Sequence, residues 1–188
     1  DAICDVLFGD KVPSGKLTAT MPKSVGQIPL YYNHLNTGRP LKEGKWFSKF
    51  TSNYLDIDND PLYPFGYGLS YTTFKYGKPT LSSNTMTNNE TISVSVDITN
   101  TGNYDADEIA QMYIRDLAAS VSRPVKELKG FERISIKKGE TKTVTFTITP
   151  EDLKFYNQEL EYKNEPGEFE VMVGPNSKDV QTLTFTLK

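Results

Sequence analysis

Cysteine is almost missing from this chain of 188 residues: Cys4 stands alone. No internal disulfide can form, and no all-cysteine metal site can be built. Histidine is equally scarce, His34 being the only one, which leaves a poor ligand set for a zinc-type centre. No apolar run approaches the ~18 residues needed to span a bilayer. Charge lacks a dominant sign: 21 Lys and Arg stand against 24 Asp and Glu, for a net −3. A nucleic-acid binder would show a clustered basic footprint instead. What is present is a 37% apolar fraction with 12% aromatic residues, enough to bury a core and too much for a disordered chain. Composition therefore predicts a globular chain with no metal, no cofactor, no nucleic-acid partner and no membrane partner.

The first ten residues place Ile3, Val6 and Leu7 at i, i+3 and i+4, a short helical stripe, with Gly9 where a helix C′ glycine would sit. A helix of average length would begin before Asp1. With neither an initiator Met nor a leader of basic then apolar character, the expectation is a boundary inside a larger protein. Residues 11 to about 74 are rich in turns. Pro13, Pro22, Pro29, Pro40, Pro61 and Pro64 alternate with Gly15, Gly26, Gly38, Gly44, Gly66 and Gly68, leaving room only for short elements. Residues 16–21 are the one plausible strand, with Leu17, Ala19 and Met21 on one face. Aromatics such as Tyr31, Tyr32, Trp46, Tyr54, Phe65 and Tyr67 are dense here, so the segment packs on something.

From about Thr72 the texture becomes period-2 alternation. Ile92, Val94, Val96 and Ile98 alternate with Thr, Ser and Asp; Val144, Phe146 and Ile148 alternate with Thr. Phe169, Val171 and Val173 alternate with Glu168, Glu170 and Met172, and Leu183, Phe185 and Leu187 alternate with Thr. Each pattern is a strand with one buried and one wet face. Residues 109–115 and 127–136 add two candidates, with Gly130 as a bulge or kink. Thr149, Pro150, Glu151 and Asp152 read as the N-cap and first turn of a short helix. About seven short antiparallel strands without a Cys…Trp…Cys set predict a fibronectin type III or immunoglobulin-like sandwich. The fold class is mostly β, an antiparallel β-sandwich over 72–188 preceded by a loop-rich segment over 1–71.

Chemistry is sparse. His34 has no neighbouring nucleophile and reads as a loop histidine bonded to its neighbours, or as part of the rim of a polar ligand site. Asp56, Asp58 and Asp60 have a calcium-loop spacing but lack the glycine and distal Glu of that pattern, which favours a solvated acidic turn. Gly66-Tyr67-Gly68 lacks the Lys and helix of a phosphate loop and reads as a turn. Asn89-Glu90-Thr91 is a formal sequon that carries no information. What remains is residues 61–74, Pro-Leu-Tyr-Pro-Phe-Gly-Tyr-Gly-Leu-Ser-Tyr-Thr-Thr-Phe, whose glycines permit close backbone approach between large aromatic faces: a seam between two bodies.

That stretch closely resembles the signature joining the second and third domains of glycoside hydrolase family 3, the β-glucosidase family. Residues 5–10 with 13–17, residues 25–29, residues 31–34 with 37–40, and residues 125–131 with 138–140 resemble the same family in order and spacing. The resemblance implies that 1–71 is the C-terminal remnant of the family's α/β sandwich domain and 72–188 its fibronectin type III-like domain. It implies a retaining, exo-acting hydrolase of terminal β-linked sugars. Its chemistry needs a nucleophilic and an acid/base carboxyl roughly 5–5.5 Å apart. In the family these come from the barrel domain and from an upstream part of the sandwich domain. Neither motif occurs in these residues, so no catalytic residue is assigned here, and Asp56 and Glu43 are not promoted to the role. The implied partners are the upstream barrel and α/β sandwich domains of the same polypeptide and an oligosaccharide or β-glycoside substrate. The implied location is periplasmic or secreted. In the loop over 31–40, Tyr32, His34 and Arg39 offer a stacking face and donors suited to sugar hydroxyls and are the substrate-binding candidates. A β-xylosidase shares these motifs. A free-standing carbohydrate-binding or structural β-sandwich is the other class, disfavoured because the alternating strands expose Thr, Ser and Glu rather than aromatics.

Overall fold

The computed structural model describes residues 1–41 and 47–188. At the start, Ala2–Leu7 form a short helix, α1. Its last turn closes as Phe8 and Gly9 donate their N–H groups to Cys4 and Val6 at 2.8 and 3.2 Å. Gly9 then takes φ +85°, the left-handed C′ geometry that its lack of a Cβ permits. Residues 16–21 are not a strand. The chain bends at Thr18 and Ala19, and only its ends pair with residues 62–67. Leu17 N–H donates to Tyr67, Gly66 N–H to Leu17, and Met21 N–H to Tyr63, at 2.8, 2.8 and 2.9 Å. Two anchor points replace a ladder because the bend turns the intervening residues away from the partner.

Beyond the seam the chain forms β1 (Phe74–Tyr76), β2 (Thr80–Leu81), β3 (Thr85–Met86), β4 (Ile92–Asn100), β5 (Ala106–Asp116) and β6 (Glu127–Ile136). There follow β7 (Thr141–Ile148), a 3₁₀ turn over Pro150–Leu153, β8 (Phe155–Tyr156), β9 (Tyr162–Lys163), β10 (Gly167–Gly174) and β11 (Gln181–Leu187). One sheet runs β1-β4-β2 with β7 also on β4; the other runs β3-β11-β10-β5-β6; β8 and β9 form a separate hairpin. Among the described strands all pairings but one are antiparallel, as the alternation predicts. The exception is β3, which lies parallel to β11 with Thr85 opposite Thr186. The chain crosses from one sheet to the other after β2 and reaches the edge of β11 running in the same direction. The 3₁₀ turn is capped as expected, Thr149 donating from its N–H and hydroxyl to Asp152 at 2.8 and 2.7 Å. Opposite Met112 and Tyr113 the register of β6 slips from Gly130 to Leu128, so the expected bulge is the extra residue Lys129 beside Gly130.

The two sheets close on Val94, Val96, Ile98, Val144, Phe146 and Ile148 from one side and Met112, Ile114, Val171, Val173 and Phe185 from the other. Each large apolar side chain so buried contributes roughly 1.5–3 kcal/mol. Met172, expected on the wet face of its strand, is buried, and so is Tyr113. For Tyr113 the reason is a third layer. Residues of the N-terminal segment cover the outer face of the five-stranded sheet: Tyr32 stacks on Phe65 at 4.2 Å between ring centres and meets Tyr113 edge-on at 5.7 Å.

Candidate functional site

The seam is built from three polar clamps, of which the first and third pair the N-terminal segment with a strand of the sandwich and the second secures Thr72, the first residue beyond it. In the first, the buried Gln111 of β5 donates its amide to the carbonyls of Gly66 and Pro175 at 3.1 and 2.7 Å, and accepts from the Tyr113 hydroxyl. Gly66 turns at φ +79°, and a Cβ there would fall 2.1 Å from Oε1 of Gln111, so only glycine fits. In the second, Asn100 at the end of β4 accepts from the Thr72 hydroxyl and from Gly102 N–H, at 2.6 and 3.1 Å. Its amide donates to Tyr104 and Ile136. In the third, Lys16 reaches both oxygens of the buried Glu108 at 3.2 Å while the Tyr76 hydroxyl donates to one of them at 3.0 Å. Burial first, and the Glu108 charge second, push the Tyr76 phenol far above its ordinary range.

Beside the seam lies a cleft of 330 Å³. Leu30, Tyr31, Tyr32 and His34 form one side, Asn59, Asp60 and Pro61 another, and Val125, Lys126, Ser177 and Lys178 of the sandwich the third. The loop is docked by a backbone bond, Val125 N–H to the His34 carbonyl at 2.9 Å. Within the sandwich wall Lys126 donates to the Ser177 carbonyl at 2.7 Å, and across the cleft Lys178 pairs with Asp60 at 2.8 Å. Beneath the acidic turn the fully buried Gln27 acts as a peg. Its amide nitrogen donates to the carbonyls of Asp58 and Asp60 at 3.0 and 3.1 Å, and its oxygen accepts from Lys23 N–H at 2.7 Å. Asp58 in turn accepts from the Lys23 ammonium at 2.7 Å, which holds its carboxyl below the usual range.

The three substrate-binding candidates fall in different settings. The Tyr32 ring lies half-buried between Phe65 and Tyr113, and its hydroxyl accepts from Leu128 N–H at 3.3 Å. His34 is exposed on the cleft wall, its Nδ1 at 3.0 Å from the Leu35 carbonyl, a contact to its own neighbour. Arg39 is exposed, with its carbonyl accepting from Ser52 N–H at 2.8 Å, and its side chain is not part of the cleft wall. The structure thus brings Tyr32 and His34 to one cleft and leaves Arg39 outside it. Glu43, Gly44 and Trp46 lie outside the described residues. Asp56, Asp58 and Asp60 do not converge: two of them are committed to lysines, and among the described residues no group of acids, His and Cys is arranged for a metal. Asp60 is the one carboxylate in the described cleft wall. A lone, paired carboxylate can orient a hydroxyl, but it cannot supply the two-carboxyl chemistry of a glycosidase. No helix among the described residues is long and apolar enough to cross a membrane. Gln27, Gln111 and Asn100 escaped the sequence reading. Gln111 leaves a trace, an amide inside the otherwise apolar run of Ala110, Met112 and Tyr113.

Residues 1–71 match the glycosyl hydrolase family 3 C-terminal domain, and residues 108–177 match the fibronectin type III-like domain. The chain is 56% identical, over 100% of its length, to a periplasmic β-glucosidase of Salmonella typhimurium, of which it covers 24%. It is 46% identical to a β-xylosidase of Formosa agariphila, covering 100% of this chain and 25% of that protein. The crystal structure of the β-glucosidase from Listeria innocua in complex with gluconolactone superposes with a TM-score of 0.92 at 45% identity, over 98% of this chain and 26% of that one. The chain therefore spans about a quarter of the length of the curated relatives it matches. It belongs to glycoside hydrolase family 3, of whose enzymes it carries the C-terminal domain segment and the fibronectin type III-like domain.

Proposed function

We propose that the chain works as the C-terminal part of a retaining, exo-acting β-glucosidase that releases terminal β-linked glucose. The observation that carries this reading is 56% identity to a β-glucosidase over 187 residues, spanning both segments. In this reading both catalytic carboxyls come from upstream barrel and α/β sandwich domains of the same polypeptide. Residues 1–71 then complete the α/β domain, and 72–188 form the β-sandwich that braces it through the Gln111 and Lys16–Glu108 clamps. Support for a covering upstream body comes from Ile3, Leu7 and Phe8 of α1 and its cap, which point apolar side chains into solvent. Tyr32, His34 and Arg39 sit on the loop that meets substrate at the rim of the active site. The periplasmic β-glucosidase of Salmonella supports a periplasmic or secreted location. A β-xylosidase is the second reading, favoured by the Formosa relative at 46% identity.

The test is a comparison of the longer polypeptide with this chain on p-nitrophenyl β-D-glucopyranoside and β-D-xylopyranoside. The longer polypeptide should hydrolyse the glucoside with the higher kcat/KM, and the 188-residue chain should hydrolyse neither. Preference for the xyloside selects the second reading. Turnover by the short chain that persists through repurification overturns the assignment of catalysis to upstream domains.

A further inference from the structure

The alternating strands of the sandwich expose Thr, Ser and Glu, which argued against a carbohydrate-binding surface. The hairpin of β8 and β9 does not alternate in this way. Tyr156 and Tyr162 are directly opposed across it, their ring centres 5.0 Å apart at an interplanar angle of 42°. They are 65% and 48% exposed, whereas Phe155 on the inner side of the same strand is buried against the Arg123 guanidinium. The loop joining the strands is closed by its own hydrogen bonds. Buried Asn157 accepts from Glu159 N–H and Glu161 N–H at 3.0 and 2.9 Å, and its carbonyl accepts from Leu160 N–H at 3.1 Å. Leu160 holds φ +61°, a geometry that favours glycine or asparagine, and carries its side chain 80% exposed beside the pair. Beside this apolar centre stands Lys154, whose ammonium lies 5.8 Å from the Tyr162 ring centre and pairs with Glu151 at 2.6 Å.

We propose that Tyr156 and Tyr162 form an accessory saccharide-binding platform on the β-sandwich, taking a pyranose unit of a β-linked glucan. Sugar rings present C–H faces to aromatic rings and hydroxyls at their edges. This platform offers tilted phenol rings bordered by the Lys154–Glu151 pair, an ammonium and a carboxylate that donate to and accept from such hydroxyls. A protein partner fits less well: two tyrosines and one leucine expose on the order of 400 Å², against about 800 Å² per partner for a stable interface. The choice of a glucan rests on the β-glucosidase reading, but the platform would act by holding a polymer near the enzyme and takes no part in bond cleavage.

Affinity electrophoresis of the 188-residue chain in native gels containing barley β-glucan tests it, with birchwood xylan and no polysaccharide as parallel gels. The chain should be retarded by β-glucan, and Tyr156→Ala with Tyr162→Ala together should weaken that retardation at least tenfold in apparent Kd. Tyr156→Phe should keep most of the binding, and thermal melts should show that both variants are folded. Absence of retardation by β-glucan overturns the proposal, as does retardation unchanged in a folded double variant. Concentration-dependent dimerisation abolished by the double substitution also overturns it, in favour of a second copy as the occupant. A longer polypeptide active on the glucoside but not retarded would sink the platform alone and leave the β-glucosidase reading standing.

Discussion

Gln111 and Gly66 hold the two segments of the chain together from opposite sides of one close contact. The amide of Gln111 donates to the Gly66 carbonyl at 3.1 Å while its oxygen sits where a Gly66 side chain would be, 2.1 Å from an ideal Cβ. The seam residues that make the family resemblance legible are therefore set by a buried side chain far along the sequence.

Gly66→Ala should destabilise the chain by about 2–4 kcal/mol, from left-handed backbone strain plus displacement of a buried, fully bonded amide. Gln111→Ala should cost a similar amount, since it strips partners from two carbonyls and the Tyr113 hydroxyl. Because both act on one contact, the double variant should lose at least ~1 kcal/mol less than the sum. Urea titrations of the four proteins measure this, and strict additivity would show that the contact is not what Gly66 serves.

The ion pair of Lys16 and Glu108 gives a second prediction. Both side chains are largely buried, at 14% and 5% exposure. Lys16→Met leaves the Glu108 carboxylate inside with only the Tyr76 hydroxyl, and should cost about 3–5 kcal/mol. Glu108→Leu placed on top of it removes the stranded charge and should recover more than half of the loss. A double variant no better than Lys16→Met would assign the effect to lost packing of the lysine stem instead.

Much of this fold could be read from the residues. Strict alternation fixed β4, β7, β10 and β11 because each has one face on the core, and a period of 2 admits no other register. Gly9, Gly130 and the cap at Thr149 were legible because each meets a local backbone demand. The failures share a cause. Residues 16–21 have a strand's pattern but only two anchor points, which depend on residues 62–67, far away in sequence. Met172 lies on the face that alternation marks as wet, and its cross-strand partner Tyr113 is buried under Tyr32, which no local pattern announces. The cleft was half legible: the loop over 31–40 is visible in sequence, but Lys126, Ser177 and Lys178 reach it only through the topology.

The loop prediction concerns kinetics. In the longer polypeptide, His34→Ala should raise KM for the glucoside about three- to tenfold with little change in kcat, as expected for loss of one binding hydrogen bond. Arg39→Ala should do the same if its guanidinium meets the sugar. Tyr32→Ala should lower stability by about 3 kcal/mol or more, because its ring fills the space between Phe65 and Tyr113. Tyr32→Phe should be close to neutral in stability. Unchanged kinetics in both His34→Ala and Arg39→Ala would reduce the loop to a packing element over the sheet.

Acid stability should depend on Asp107, which tethers β5 to β6. Its carboxylate accepts from the Ser135 hydroxyl at 2.5 Å and from Arg133 Nε at 2.9 Å. The Ser135 hydrogen bond first, with the Arg133 hydrogen bond and charge adding to it, holds the folded-state pKa below the ordinary 3.8, against a smaller opposing effect of burial. The unfolded chain therefore binds the proton more readily. The contribution of Asp107 is fully present above the unfolded pKa of 3.8 and is lost as pH falls through the folded value. Asp107→Asn keeps the shape but cannot titrate. The variant should be less stable than the parent at pH 7, and the gap should close progressively below pH ~4 as the parent loses its advantage. Urea midpoints measured from pH 7 down to 2.5 give both curves. Parallel curves down to the lowest pH would mean that Asp107 titrates alike in the folded and unfolded chain, and that the tether to Ser135 and Arg133 adds nothing to acid resistance.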